Sequence, residues 1–155
     1  MDIKPLFDAV QSLVAADAFK PRLTFEQWRV VGNYFTRHEI RAGDLLLRQG
    51  DREHAMYLLE SGTLQVFVSD PRPAASRLSL LRAGSVVGEA GMFSDQPRMA
   101  NVEAMSPCVV WALRGPRMEE LAARNPALAL ELVRAAAAVM GVRMRANIEH
   151  GQAVS

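Results

Sequence analysis

The chain has 155 residues, of which half are hydrophobic and 23% are charged, so it is long and apolar enough for one domain with a substantial core. Its 18 basic and 17 acidic residues nearly balance, so the chain lacks the excess positive charge that is typical of nucleic-acid-binding and membrane-surface proteins. A single cysteine excludes an internal disulfide, and the absence of a long apolar run or a signal-peptide pattern leads us to expect a cytoplasmic protein without a membrane partner.

Helices are predicted for the first 37 residues. Apolar side chains recur at three- and four-residue spacing from residue 2 to residue 17, which is typical of an amphipathic helix. Pro21 ends this pattern. Thr24 and Gln27 then have the spacing of a capping box, which predicts a second helix.

Short strands are predicted from residue 38 to residue 114. Leu64, Val66 and Val68 stand at alternate positions, and glycines recur where strands would turn. This pattern favours an antiparallel jelly-roll, and thus a mainly β, α+β fold for one domain over residues 1–155. The polar, proline-containing segment 70–76 is predicted to be a mobile hairpin loop.

Helices are predicted again for residues 115–148. Pro116 suits the first turn of a short helix, and Asn125 with Pro126 opens the longest one. Two apolar seams run along this last helix. The first comprises Leu128, Leu132, Ala135, Val139, Val142 and Ala146, and the second comprises Leu130, Val133, Ala137, Met140, Met144 and Ile148. Because a helix on a single roll needs one apolar stripe, the second seam predicts either a parallel homodimer or coverage by the N-terminal helices.

The segment 88–101 carries the clearest chemical signal. Arg98 offers a planar fork of donors that can hold a phosphate through two hydrogen bonds, and ionised Glu89 can accept a hydrogen bond from a hydroxyl or pair with Arg98. Residues 89–93 are predicted to form one helical turn whose first N–H groups face an anion. A compact ligand with one phosphate and one ribose hydroxyl, such as a cyclic nucleotide, suits this pair.

Four blocks, at residues 41–50, 56–66, 81–89 and 88–100, resemble in order the strands and the phosphate-binding cassette of the cyclic-nucleotide-binding domain family. The likeness is greatest to the sensor half of its transcription-factor members. It implies that a β-roll over residues 38–114 carries the cassette at 88–101. The ligand-binding residues that it implies are Gly88, Glu89, Ala90, Arg98, Met99, Ala100 and Asn101.

Two cassette positions depart from the family pattern. Met99 stands where the catabolite-activator group has a serine that contacts phosphate, and Asn101 stands where many members have threonine or serine. The ligand expected is cAMP, with cGMP left open. By the alignment of the last helix, Arg143 is placed near the base, where it would stack on the purine, unless it is a solvated helix residue.

No catalytic or metal-binding pattern is present in the sequence. His38, His54 and His150 are far apart, and Cys108 stands in an apolar run that predicts a buried strand residue. We therefore expect neither an enzyme nor a metal protein.

The function predicted is a non-catalytic cAMP sensor that signals through its C-terminal helix to a protein that the sequence does not identify. A roll that has lost its ligand and serves interaction or dimerisation is one alternative. The sensor half of a transcription factor without its DNA-binding part is another, because no recognition helix fits in residues 149–155 and no direct contact with nucleic acid is expected.

Overall fold

The computed structural model describes residues 2–69 and 78–150, so the predicted hairpin loop at 70–76 lies outside the described residues. In chain order the elements are α1 (Lys4–Ser12), α2 (Phe25–Gly32), β1 (Thr36–Ile40), β2 (Leu45–Leu47), β3 (Ala55–Ser61), β4 (Leu64–Phe67), β5 (Leu78–Leu81), β6 (Val86–Val87), α3 (Glu89–Met92), β7 (Asn101–Ala104), β8 (Cys108–Arg114), α4 (Gly115–Arg124) and α5 (Pro126–His150).

The strands form two four-stranded antiparallel sheets, in the orders β1-β8-β3-β6 and β2-β7-β4-β5. Of the seven pairs of consecutive strands in the described residues, six lie in different sheets and only β4 and β5 share one, as expected of a jelly-roll. The predicted α+β jelly-roll with flanking helices is confirmed.

Strand β3 separates two apolar cores, because successive side chains of a strand point to opposite faces. Tyr57 and Leu59 face the core between the two sheets, whereas Met56 and Leu58 face the core that the helices cover. The helices therefore pack on one outer face of the roll.

The N-terminal helices differ in how well the sequence predicts them. The capping box of α2 is confirmed: the Gln27 amide donates to Thr24 Oγ1 at 3.1 Å, and the Thr24 amide donates to Gln27 Oε1 at 2.9 Å. Helix α1, however, ends at Ser12 and not at residue 17. Leu13 is extended and buried, and the Lys20 ammonium donates to the carbonyl oxygens of Val10 and Gln11, which ends the helix there.

The two seams of α5 have different environments. Leu128, Leu132, Ala135 and Val139 of the first seam are buried in the core under the helices. In the second seam, Leu130, Met144 and Ile148 are 68%, 58% and 77% exposed. The N-terminal helices of the same chain thus leave much of the second seam uncovered. Among the described residues, the helices are too short or too polar to cross a membrane.

Candidate functional site

The segment between β6 and β7 is a loop held at both ends. Gly88 turns the chain from β6 into α3. It adopts a left-handed conformation with φ of +77°, in which a residue with a side chain would be strained. On the return, the Arg98 amide donates to Asp51 O at 2.7 Å and the Gly50 amide donates to Arg98 O at 2.9 Å. Arg98 is therefore fixed against the loop that precedes β3.

The Arg98 side chain is 5% exposed and points into the protein. Its Nη1 donates to Gly88 O and its Nη2 donates to Ala55 O, both at 2.7 Å. Within the described residues its Nε has no hydrogen-bond partner and its guanidinium has no ion-pair partner. Burial lowers the pKa of Arg98, and the negative charge of Glu53 opposes this shift. The loop thus holds a buried positive charge without a contacting anion.

A cavity of about 170 Å³ lies beside Arg98. Its walls are Leu47, Ala90, Gly91, Ser94, Gln96, Pro97, Arg98, Met99 and Ala100. Met99 is 62% exposed at its edge, and Ala100 is buried. A methyl group on Gly91 would stand 2.3 Å from Arg98 Nη1, so the absence of a side chain there makes room for the guanidinium.

Glu89 is the second charged group of the loop, and its side chain is fully buried. Both carboxylate oxygens accept from Nη1 of Arg143 at 3.0 Å, and Nη2 of Arg143 donates to Val86 O at 2.9 Å. Burial raises the pKa of the Glu89 carboxyl, and the adjacent Arg143 opposes this shift. Glu89 is therefore paired with Arg143 of α5 and not with Arg98.

The sequence left open that Arg143 is a solvated helix residue. Its side chain is only 10% exposed, so this alternative is wrong. Its Nε also donates to Asp17 Oδ2 at 2.9 Å. A contact between Arg143 and a purine stays a prediction.

Asn101 is buried in a different set of contacts. Its Oδ1 accepts from the Gln49 amide at 2.9 Å, and its Nδ2 donates to Ser69 Oγ at 2.8 Å. The amide therefore joins the end of β4 to the turn after β2. Its predicted contact with a base or phosphate stays a prediction that requires an exchange of partners.

The structure thus brings Gly88, Ala90, Arg98, Met99 and Ala100 together around one loop and cavity, and Glu89 and Arg143 together as an ion pair next to it. Sequence reasoning missed Asp17, whose partner lies 126 positions away and which carries no motif of its own.

Sequence reasoning also missed Tyr57, which is buried in the roll. Its hydroxyl donates to Glu53 Oε1 at 2.6 Å, and burial, together with this hydrogen bond, raises its pKa to about 12. The alternating pattern of β3 predicts that Tyr57 is buried, but it does not predict that Glu53 is its hydrogen-bond partner.

Metal-ligating side chains do not cluster in the described part of the chain, where groups of three or more His, Cys, Asp or Glu in position to hold an ion are absent. Cys108 is 2% exposed on β8, so the prediction of a buried strand residue is confirmed.

Comparisons with known proteins agree with the fold. A family model described as a cyclic nucleotide-binding domain matches residues 37–125. A cAMP-dependent protein kinase regulatory subunit of Blastocladiella emersonii is 29% identical over 104 residues, which are 67% of this chain and 26% of that protein. The cAMP-activated global transcriptional regulator CRP of Salmonella typhimurium is 28% identical over 96 residues, which are 61% of this chain and 46% of that protein. The matches thus span less than half of each relative.

A solved structure has a similar fold. The cyclic nucleotide-binding domain from Methylobacillus flagellatus superposes with a TM-score of 0.79 at 20% identity, over 95% of this chain and 80% of that one.

Proposed function

Because the chain belongs to the cyclic nucleotide-binding domain family, we propose that it is a non-catalytic cAMP sensor and that α5 transmits the binding of the ligand to another protein. The observation that carries the proposal is the buried Arg98 guanidinium, which has no contacting carboxylate among the described residues. A buried unpaired charge costs several kcal/mol, on the order of the penalty for one desolvated ion. An anion that reaches Arg98 removes part of this cost.

The cyclic phosphate is the group that we assign to Arg98. Nη1 and Nη2 already donate to Gly88 O and Ala55 O, but each carries a second hydrogen, and Nε has no partner in the described structure. Phosphate oxygens accept such charge-assisted hydrogen bonds at 2.7 to 2.9 Å, roughly the range of arginine–phosphate contacts in general. Because Arg98 is held by two carbonyl oxygens and not by a carboxylate, it can bind the phosphate without first breaking an ion pair within the protein.

The ribose 2′-hydroxyl is the group that we assign to Glu89. A carboxylate has about four acceptor positions, and Arg143 takes up two of them at the present geometry. Glu89 is fully buried, and the cavity of about 170 Å³ is smaller than typical small-molecule sites of about 300 Å³ or more. Because Arg143 covers the buried Glu89 carboxylate, we propose that Arg143 and the end of α5 move when a nucleotide enters, and that this motion is the signal.

The choice of cAMP over cGMP has its support in the relatives, which are named as a cAMP-dependent kinase subunit and a cAMP-activated regulator. Both are named as regulators, which supports a non-catalytic role here. The downstream protein and a location in the cytoplasm stay predictions.

Calorimetric titration with cAMP and cGMP tests the proposal. We expect micromolar or tighter binding of cAMP, weaker binding of cGMP, and loss of binding in Arg98→Gln, since glutamine has no positive charge for the phosphate. Arg124→Gln on the exposed side of α4 is the matched control and should bind as the unchanged protein does. Thermal unfolding of each variant must show that it is folded, because Arg98 is buried.

Each other result has a definite meaning. A folded protein, free of carried-over ligand, that binds neither nucleotide would contradict the sensor proposal and favour a ligand-free interaction module. Full affinity in folded Arg98→Gln would overturn the assignment of the phosphate to Arg98.

A further inference from the structure

Three distant parts of the chain meet at the Arg143 guanidinium. Its Nη1 contacts both oxygens of Glu89 at 3.0 Å, and its Nε contacts Asp17 Oδ2 at 2.9 Å. Asp17 lies between α1 and α2, 126 positions from Arg143, whereas Glu89 lies 54 positions away at the start of α3. The side chains of Arg143 and Asp17 are 10% and 34% exposed, so solvent screens this pair only in part.

Asp17 belongs to a segment that is itself held in place. Phe19, two positions later, is fully buried in the core under the helices. Next to it, the Lys20 ammonium is bonded to the carbonyl oxygens at the end of α1. The Asp17 carboxylate therefore has a fixed position, and from there it holds the Arg143 side chain of α5.

Helix α5 is tied to the same segment earlier along its length. Glu131 Oε2 accepts from the Arg22 amide at 2.7 Å, and Nη2 of Arg134 donates to Lys20 O at 3.4 Å. Beyond Val139 most side chains of the helix are exposed, and in this part Arg143 contacts the fixed segment through Asp17. Asp17 thus restrains the part of α5 that covers Glu89.

We propose that Asp17 is an autoinhibitory anchor: it holds Arg143, and with it the end of α5, over Glu89, so that the N-terminal segment limits access of the ligand. The inference rests on the proposed function, in which Glu89 receives a ligand hydroxyl. A ligand that needs the uncovered carboxylate binds with its intrinsic dissociation constant divided by the fraction of molecules that are open. Weakening the anchor raises that fraction and tightens the binding of the ligand.

The test compares Asp17→Asn with the unchanged protein. Asparagine has nearly the same size, so the substitution removes one negative charge from the anchor and leaves the packing around it unchanged. We expect backbone amides of residues 140–148 to exchange hydrogen faster without nucleotide, and cAMP to bind about two- to fivefold more tightly, the effect expected from the loss of one partly screened ion pair. Asp8→Asn, which removes an exposed pair with Lys4 at 2.9 Å, is the control and should change neither quantity.

The outcomes separate the anchor from the sensor proposal. Unchanged exchange in Asp17→Asn, or weaker cAMP binding, would overturn the anchor. If cAMP binds to none of the proteins, the sensor proposal fails, and the exchange rates alone decide whether Asp17 restrains α5.

Discussion

At the scale of single residues, the backbone conformation decides which positions tolerate a side chain. Gly43 and Gly141 both have open space where a Cβ atom would stand, with nothing within 4 Å. Gly43, however, has a φ of +93° in the turn before β2, whereas Gly141 lies within α5. The two positions therefore separate backbone strain from packing.

Alanine at these two glycines should have opposite effects. We expect Gly141→Ala to raise the free energy of unfolding by about 0.5–1 kcal/mol, because glycine weakens a helix interior. Gly43→Ala should lower it by about 1 kcal/mol or more, since alanine is strained at positive φ. Urea unfolding of both variants measures the difference, and equal effects of the same sign would contradict the explanation.

At the scale of elements, the attachment of α5 to the segment between α1 and α2 depends on ionised Glu131. Hydrogen bonds from Arg134 lower the pKa of this carboxyl to about 2. Because the folded-state pKa lies below the ordinary value of 4.5, the contribution to stability is present above pH 4.5 and is lost as the pH falls toward 2.

The pH dependence of a Glu131→Gln variant should follow from this. We expect it to be less stable than the unchanged protein by about 1 kcal/mol at pH 7, a value typical of a solvent-accessible ion pair with good geometry. The deficit should shrink at pH 3, where the unchanged protein begins to lose the same interaction. Urea unfolding at both values checks this, and a deficit independent of pH would mean that packing and not charge is involved.

What the sequence predicts of these elements depends on the range of the signal. The capping box of α2 and the turn at α3 act within four residues, and both are confirmed. The predicted end of α1 was wrong by five residues. The apolar pattern includes Val14, which is 89% exposed, and the residue that caps the helix, Lys20, lies beyond the pattern. The ion pairs of Arg143 with Glu89 and with Asp17 arise only from tertiary packing, so spacing within the cassette could not predict them.

At the scale of the whole molecule, the second seam of α5 is an apolar surface that stays largely exposed in a single copy of the chain. Leu130, Met144 and Ile148 stand exposed along one helix, and leaving such a stripe in water is unfavourable. We propose that a second copy covers it in a homodimer through the C-terminal helix, as the sequence predicts.

Sedimentation velocity of Leu130→Glu tests this dimer. We expect the unchanged protein to sediment as a dimer, and Leu130→Glu to dissociate because a charge in an apolar interface loses its hydration. Leu80→Glu is the control, since Leu80 is 65% exposed on β5 and Leu130 is 68% exposed. A monomer for the unchanged protein, or a dimer that survives the substitution at Leu130, would contradict the proposal.

The burial of Cys108 has a practical consequence for observing motion of α5. It is the only cysteine of the chain and is 2% exposed, with its thiol directed at the carbonyl oxygens of Thr63 and Ser106. Thiol reagents attack accessible thiolates, so a cysteine introduced at Arg145, whose side chain is 82% exposed and lies on neither apolar seam, would react in the folded protein while Cys108 stays protected. A spin label or fluorophore at that single position would report the displacement of the helix end directly, with the native thiol left in place.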